Sequence, residues 1–272
     1  MSVINTNVKS LIVQNAIKVN NRQMASAMEQ LSTGKQINSA KDNAAGLAVT
    51  ENMTSQIRGM GMAVKNANDG ISLAQTAEGA MIEISNMMQR MRELAVQAST
   101  GTISASQRDF LNTEFTQLQA QIASTIRDSR WNGMSVLSSS TAALAFTIQV
   151  GTDSGSQTVT VTSAGLDGAY TAANITNLAN ASAAMGQLDS GLNTINSARA
   201  MLGATISRLT SAGDNLTNIA QNLSESRSRI LDTDYAQATA ELARTQIIQQ
   251  ASMAVLAQAN SQPQTVLKLL QG

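Results

Sequence analysis

The sequence predicts a mainly α-helical protein, a long antiparallel helical bundle or coiled coil with a small β-hairpin region set into it. Three observations carry that reading. Leu188, Ile195, Leu202, Leu209, Leu216, Leu223 and Ile230 follow one another at a strict spacing of seven, the period of a helix packed in a coiled coil, and at 1.5 Å per residue the stripe runs roughly 60 Å. A single proline, Pro263, stands in the whole chain, where average usage of about 5% would supply many more, and long helices tolerate few prolines. Gly, Thr and Val concentrate only between about Ser138 and Ala172, which marks that stretch as a different kind of segment.

Taken in order, the chain begins with Ile4, Val8, Leu11 and Ile12, apolar residues at helical spacing. A helical pattern then runs from about Asp42 to Ala98, with Met81, Ile84, Met88, Met91, Ala95 and Ala98 recurring at alternating intervals of three and four. A second register, Ile84, Met87, Met91, Leu94 and Ala98, overlaps it, so the apolar face is wide, and methionine makes it adaptable. Asp42, after Ala40-Lys41, is placed to cap this helix, although plain helix initiation without a partner contact is the preferred reading. Asp69-Gly70 reads locally as a turn. A further helix is expected from Ser104 to Asp128, followed by a turn at Asn132-Gly133, where Met134, Val136 and Leu137 change the chemistry.

Phe146 to Val150 and Thr158 to Thr162 alternate apolar and polar residues on either side of a polar tip, which predicts a hairpin. The long helix from Ala181 to Leu231 carries the sevenfold stripe, with a mixed second seam of Leu192, Arg199, Ile206, Gly213 and Arg227. The chain ends with Ile247, Ile248, Val255, Leu256, Val266, Leu267, Leu269 and Leu270 in helical array. Termini are normally polar and frayed. Two apolar helical ends separated by the whole chain call for burial against each other, against other subunits or against a membrane.

Composition removes most other classes. With six aromatics, Phe110, Phe115, Trp131, Phe146, Tyr170 and Tyr235, packing falls to Ala, Leu, Ile and Met. Formal charge is zero, without long runs of either sign, so nucleic acid is not an expected partner. No apolar stretch of about 18 residues is present to span a bilayer, and MSVINTNVKSL lacks the apolar block of a cleavable secretory signal. Cysteine and histidine are absent, which excludes thiol nucleophiles, disulfides and Ser-His-Asp triads. With no Gly-rich phosphate loop and no carboxylate cluster at ligand spacing, no catalytic residue, cofactor or metal site is expected.

Specific strings go further. Ile4-Asn5-Thr6-Asn7 is followed by LSTGKQINSAKDNAAG from Leu31 to Gly46, NANDGISLAQTAEGA from Asn66 to Ala80 and MQRMRELAVQ from Met88 to Gln97. SRILDTDYA from Ser228 to Ala236 and QASMAVLAQANSQPQTVLKLL from Gln250 to Leu270 close the series. These six blocks, in this order and at both termini, resemble bacterial flagellin, in a short form without the variable outer domains that larger flagellins insert near the middle. Trp131 stands where many relatives carry Phe before Asn-Gly.

The resemblance implies a structural subunit that polymerises into the helical flagellar filament for swimming motility, with residues 1-41 and 237-272 pairing as inner-core helical segments and residues 42-236 forming an outer-core bundle that includes the hairpin region 140-175. It implies that the terminal helices become ordered on polymerisation, with Ile4, Val8, Leu11, Val255, Leu256, Val266, Leu267 and Leu270 as assembly residues. It also implies that residues 66 to 80 lie in one continuous helix, against the local turn reading at Asp69-Gly70. Expected partners are other copies of the chain, a flagellar export chaperone, cap and hook-filament junction proteins, and the vertebrate Toll-like receptor that senses flagellin. For that receptor, or for the next subunit, the matching positions are Gln89, Arg90, Leu94, Gln97 and Glu114; the spacing of Arg90, Leu94 and Gln97 sets them along one helical face. Export through the flagellar type III apparatus into the extracellular filament follows from the same resemblance.

Two rival readings share some features. A hook-filament junction protein has flagellin-like ends but not usually the MQRMRELAVQ block. A membrane-active secreted coiled-coil effector would insert its ends into a bilayer, but residues 245–272 hold only Lys268 as a basic group, which is against a basic amphipathic face and against membrane insertion.

Overall fold

The structure, a computed structural model, describes residues 6–138, 143–152, 157–163, 165–166, 168, 170–171 and 174–270, with side chains up to Ser261. Its described elements are α1 (Val8–Thr33), α2 (Ala40–Ala98), α3 (Ala105–Asp128), β1 (Arg130–Trp131), β2 (Met134–Ser135), β3 (Leu144–Gln149), β4 (Thr158–Ser163), α4 (Leu178–Leu231) and α5 (Tyr235–Leu270). The chain divides into two compact units, residues 1–55 with 222–272, and residues 56–221.

The unit of residues 56–221 is built on two long helical stripes. Along α2, Met60, Ala63, Ala67, Gly70, Ala74, Ala77, Met81, Ile84, Met88, Met91, Ala95 and Ala98 are all buried. Their intervals alternate between three and four, the seam of a coiled coil. The facing stripe on α4 is Ala181, Leu188, Ile195, Leu202, Leu209 and Leu216, all buried. Its second buried line is Ala184, Gly191 and Ala198, whereas Leu192 and Ile206 are only partly buried. The expected second seam therefore sits on the flank, and small residues occupy the true one, where they let the helices approach.

Helices α2 and α4 run antiparallel, as Arg92 bonding Asp189 and Arg199 approaching Glu78 require. Helix α3 returns antiparallel along α2: Arg90 bonds Glu114, and Arg108 Nε donates to the Ala98 carbonyl at 3.0 Å. It starts with a capping box in which Ser104 Oγ accepts from Gln107 N–H and Gln107 Oε1 accepts from Ser104 N–H. Phe115, Ile122 and Ile126 point into the core.

The turn expected at Asp69-Gly70 is not present: α2 continues through it. Gly70 serves close approach instead. A Cβ there would lie 3.0 Å from Ile148 Cγ1 and 3.1 Å from Leu209 Cδ1, so the absent side chain is what lets the hairpin and α4 meet the helix. At Asn132-Gly133 the turn is real, with φ of 49° and 79°. Two successive left-handed residues are what a tight type I′ hairpin turn demands, and they join β1 to β2. Strands β3 and β4 pair antiparallel from Leu144 opposite Ser163 to Gln149 opposite Thr158. Val159, Val161 and Ser163 face inward, and Asn66 Nδ2 on α2 donates to the Gln149 carbonyl at 3.1 Å. Part of the polar tip proposed between these strands, residues 153–156, lies outside the described residues.

The unit of residues 1–55 and 222–272 holds the α1–α5 helix pair and the ends of α2 and α4. Helix α1 stops at Gly34, whose φ of 71° is left-handed and whose N–H bonds the Gln30 carbonyl. The connectors on either side pair through Gln36 N–H to the Leu231 carbonyl at 2.7 Å and Thr233 N–H to the Gly34 carbonyl at 3.0 Å.

Candidate assembly and recognition surfaces

The α1–α5 pair has an unusual distribution of polarity. Helix α1 begins with Asn7, whose Oδ1 accepts from Ser10 N–H at 3.1 Å, and its fully buried positions are Ser10, Asn20 and Ala27. Among the described side chains of α5, Ala238, Thr245 and Ala259 are buried. Between them the seam is completed by half-buried Val13, Ile17, Met24 and Leu31 on one helix and Leu242, Gln249, Ser252 and Leu256 on the other. Small and polar side chains thus take the centre. Val8, Leu11, Ile12, Val19 and Met28 of α1, and Ile247, Ile248, Met253 and Val255 of α5, are exposed. Scattered exposed apolar residues are ordinary, but nine on two paired helices with a partly polar seam form a surface suited to burial against another chain.

Of the residues assigned to assembly, Val8, Leu11 and Val255 belong to this exposed set, and Leu256 lies in the seam, half-buried. Ile4 lies outside the described residues, as do the side chains of Val266, Leu267 and Leu270.

The connector before α2 is held by a carboxylate. Asp42 Oδ2 accepts from Asn38 N–H at 3.2 Å, from Ser39 N–H at 2.9 Å and from the Ser39 hydroxyl at 3.0 Å. The Ser39 hydroxyl bond, then the backbone bonds, lower the Asp42 pKa below its ordinary value. The capping reading of Asp42 is corrected here, since its carboxylate binds the residues behind it, Asn38 and Ser39, and not the turn ahead. Asn43 caps instead. It has non-helical φ and ψ of −161° and 98°, and its Oδ1 accepts from Gly46 N–H at 2.8 Å.

On the outer surface of α2 and α3, Arg90 is the centre of a charge cluster. Its guanidinium bonds Glu93 Oε2 at 3.0 Å and Glu114 Oε1 at 2.9 Å, and these two hydrogen bonds, Glu93 first, raise its pKa further. Two residues along, on the flank facing α4, Arg92 grips Asp189 with Nε at 2.6 Å and Nη2 at 3.4 Å. Gln89 and Gln97 are exposed on the same helix. Leu94 is not: it is 1% exposed and part of the core. Arg90, Leu94 and Gln97 lie along one side of α2, as their spacing implies, but of the three only Arg90 and Gln97 are exposed, because position 94 adjoins the buried line of Met91, Ala95 and Ala98. The second register containing Leu94 was the available signal, since it marked that position as apolar-face rather than surface.

Among the described residues no group of three or more His, Cys, Asp or Glu is arranged to hold a metal ion, and no helix is long and apolar enough to cross a membrane.

Two family models match the chain: the bacterial flagellin N-terminal helical region over residues 4–142 and the bacterial flagellin C-terminal helical region over residues 185–270. A flagellin of Halalkalibacterium halodurans is 41% identical over 272 residues, covering 98% of this chain and 99% of that protein. The flagellar filament 30.7 kDa core protein of Treponema maltophilum is 36% identical, again over 98% of this chain and 99% of that one. Among solved structures, the crystal structure of Bacillus cereus flagellin matches with a TM-score of 0.50 at 30% identity, covering 60% of this chain and 94% of that one.

Proposed function

The chain belongs to the bacterial flagellin family and is a structural subunit of the flagellar filament, a self-assembling extracellular polymer; from that premise we propose that the α1–α5 pair is its principal assembly surface. The observation that carries this reading is the outward exposure of Val8, Leu11, Ile12, Ile247, Met253 and Val255 on helices whose own seam is partly polar. Burying such a side chain fully contributes about 1.5–3 kcal/mol, and a head-to-tail interface that does not close into a ring extends as a helical filament. Ordering entropy opposes assembly until neighbours supply that burial.

In this arrangement residues 1–41 and 237–272 form the inner layer of the tube and residues 42–236 the outer layer. Ile4, Val266, Leu267 and Leu270 are assigned the same assembly role. An export chaperone covers the C-terminal segment before secretion through the type III apparatus, and cap and hook-filament junction proteins meet the same terminal surfaces. The experiment is elongation from filament seeds by a Leu11→Asp/Val255→Asp variant. Elongation should be lost while the helical circular dichroism of the monomer is kept; elongation at the unaltered rate would contradict the assignment.

A second reading concerns the Arg90 cluster. Gln89, Arg90, Gln97 and Glu114 form a polar, exposed surface of the kind that takes charge-assisted contacts, and we assign it to the Toll-like flagellin receptor in the monomer and to a neighbouring subunit in the filament. Leu94 supports that face from beneath. Arg90→Ala should reduce receptor signalling by the monomer, and unchanged signalling would oppose the assignment.

A further inference from the structure

The α1–α5 seam contains a pair of cross-helix bonds that the exposed apolar faces do not account for. Asn20 is 4% exposed, and its Nδ2 donates to the Thr245 carbonyl at 2.8 Å. Its Oδ1 is buried without a hydrogen-bond partner. Thr245 is fully buried opposite, its hydroxyl turned back onto the Glu241 and Leu242 carbonyls at 2.9 Å each. Toward the start of α1, Asn7 repeats the device: while its Oδ1 caps the helix, its Nδ2 donates to the Ala259 carbonyl at 2.9 Å. The acceptors, Thr245 and Ala259, are two heptads apart on α5.

Leaving a buried amide oxygen unpaired is costly, and a leucine at position 20 would add apolar burial to the seam. Stability alone therefore gives no reason for asparagine there. Polar residues at a single seam position are best known for setting register and orientation at a cost in stability. The α1–α5 seam has use for such a device, because its most buried line, Ser10, Asn20, Ala27 against Ala238, Thr245, Ala259, consists of small or polar side chains, which interlock less than the half-buried Val13, Ile17, Met24, Leu31, Leu242 and Leu256 beside them. A slip of one heptad sets Thr245 against Val13 or Ala27 and removes the Asn7 bond to Ala259.

We propose that Asn7 and Asn20 are a register clamp for the terminal helix pair, their side-chain amides fixing the axial alignment of α1 against α5 by bonding the Ala259 and Thr245 carbonyls, so that the apolar faces of the two helices combine into one repeating assembly surface. The proposal rests on the assembly role given to that pair above. Asn7 and Asn20 are positioning residues: they act through the alignment of Val8, Leu11 and Ile12 with Ile247, Met253 and Val255.

The chain has no cysteine, so two can be introduced for spin labels without background. Asn15→Cys and Gln237→Cys, both at exposed positions, report the axial alignment of α1 against α5. Labelled subunits are diluted into filaments of unlabelled protein, and the interspin distance distribution is measured by pulsed electron resonance. The otherwise unaltered chain should give one narrow distance. Asn7→Asp keeps the helix cap but cannot donate across, and Asn20→Leu keeps the seam packed; together they should broaden the distribution or add a population displaced by about 10 Å, the length of one heptad. The same single narrow distance in the double variant overturns the clamp. Where the double variant is not incorporated, each single variant is measured, and an unshifted narrow distance in both overturns it equally. Failure of the unaltered chain to form filaments at all would instead remove the assembly reading beneath it.

Discussion

Gly70 offers a test of whether packing or backbone conformation governs the middle of α2. Both Gly70 and Gly79 lie inside that helix, and replacing a helix-interior glycine by alanine gains about 1 kcal/mol from propensity alone. At Gly79 a Cβ meets nothing within 4 Å, so Gly79→Ala should stabilise by that amount. At Gly70 it would stand 3.0 Å from Ile148 Cγ1 and 3.1 Å from Leu209 Cδ1. Those side chains must yield, and inserting a carbon into a filled core costs about 1–3 kcal/mol. Gly70→Ala should therefore be neutral to about 2 kcal/mol destabilising, which separates the two variants by about 1–3 kcal/mol. For a unit of this size each kcal/mol moves the thermal midpoint by about 2–4 °C, so unfolding followed by circular dichroism resolves the difference. Equal stabilisation of both variants would refute the close-approach account, and strong destabilisation of both would indicate that α2 needs glycine flexibility there.

Two other perturbations address other parts of the molecule. Ile195→Ala, at a fully buried position of the α4 stripe, should cost about 2–5 kcal/mol, read as a fall in the urea midpoint with an unchanged slope. The hold of Asp42 on the connector should be acid-sensitive: its pKa is depressed in the fold, so its contribution is complete above the unfolded aspartate pKa of about 3.9 and is lost as pH falls through the lower folded value. The Asn38 and Ser39 amide resonances should titrate with a midpoint below that value in the unaltered chain and stay flat in Asp42→Asn; a midpoint at or above it would contradict the assignment.

Large apolar residues made the bundle readable from sequence. The leucines of α4 and the methionines of α2 announce their seams because each contributes a strong periodic signal. Small residues do not: Ala184, Gly191 and Ala198 form the second α4 seam, yet alanine and glycine weigh little in any apolar pattern, so Leu192 and Ile206 drew the attention. Gly70 misled for a related reason, since a glycine after an aspartate signals a turn locally whereas its role is set by Ile148 and Leu209, distant in sequence. Asn43 escaped notice as the cap beside Asp42, because both residue types cap helices and only the backbone conformation distinguishes them. At the terminal pair the apolar residues were legible, but the polar seam was not. Asn20 and Thr245 read as ordinary surface residues until the pairing of α1 with α5 brings them together across 225 positions of sequence.

The most direct test of the assembly account is an electron cryomicroscopy map of filaments grown from this chain, at a resolution that places side chains. Val8, Leu11, Ile247, Met253 and Val255 should be packed against neighbouring subunits in that map. A map in which those side chains face open solvent, with the subunits joined through other surfaces, would contradict it.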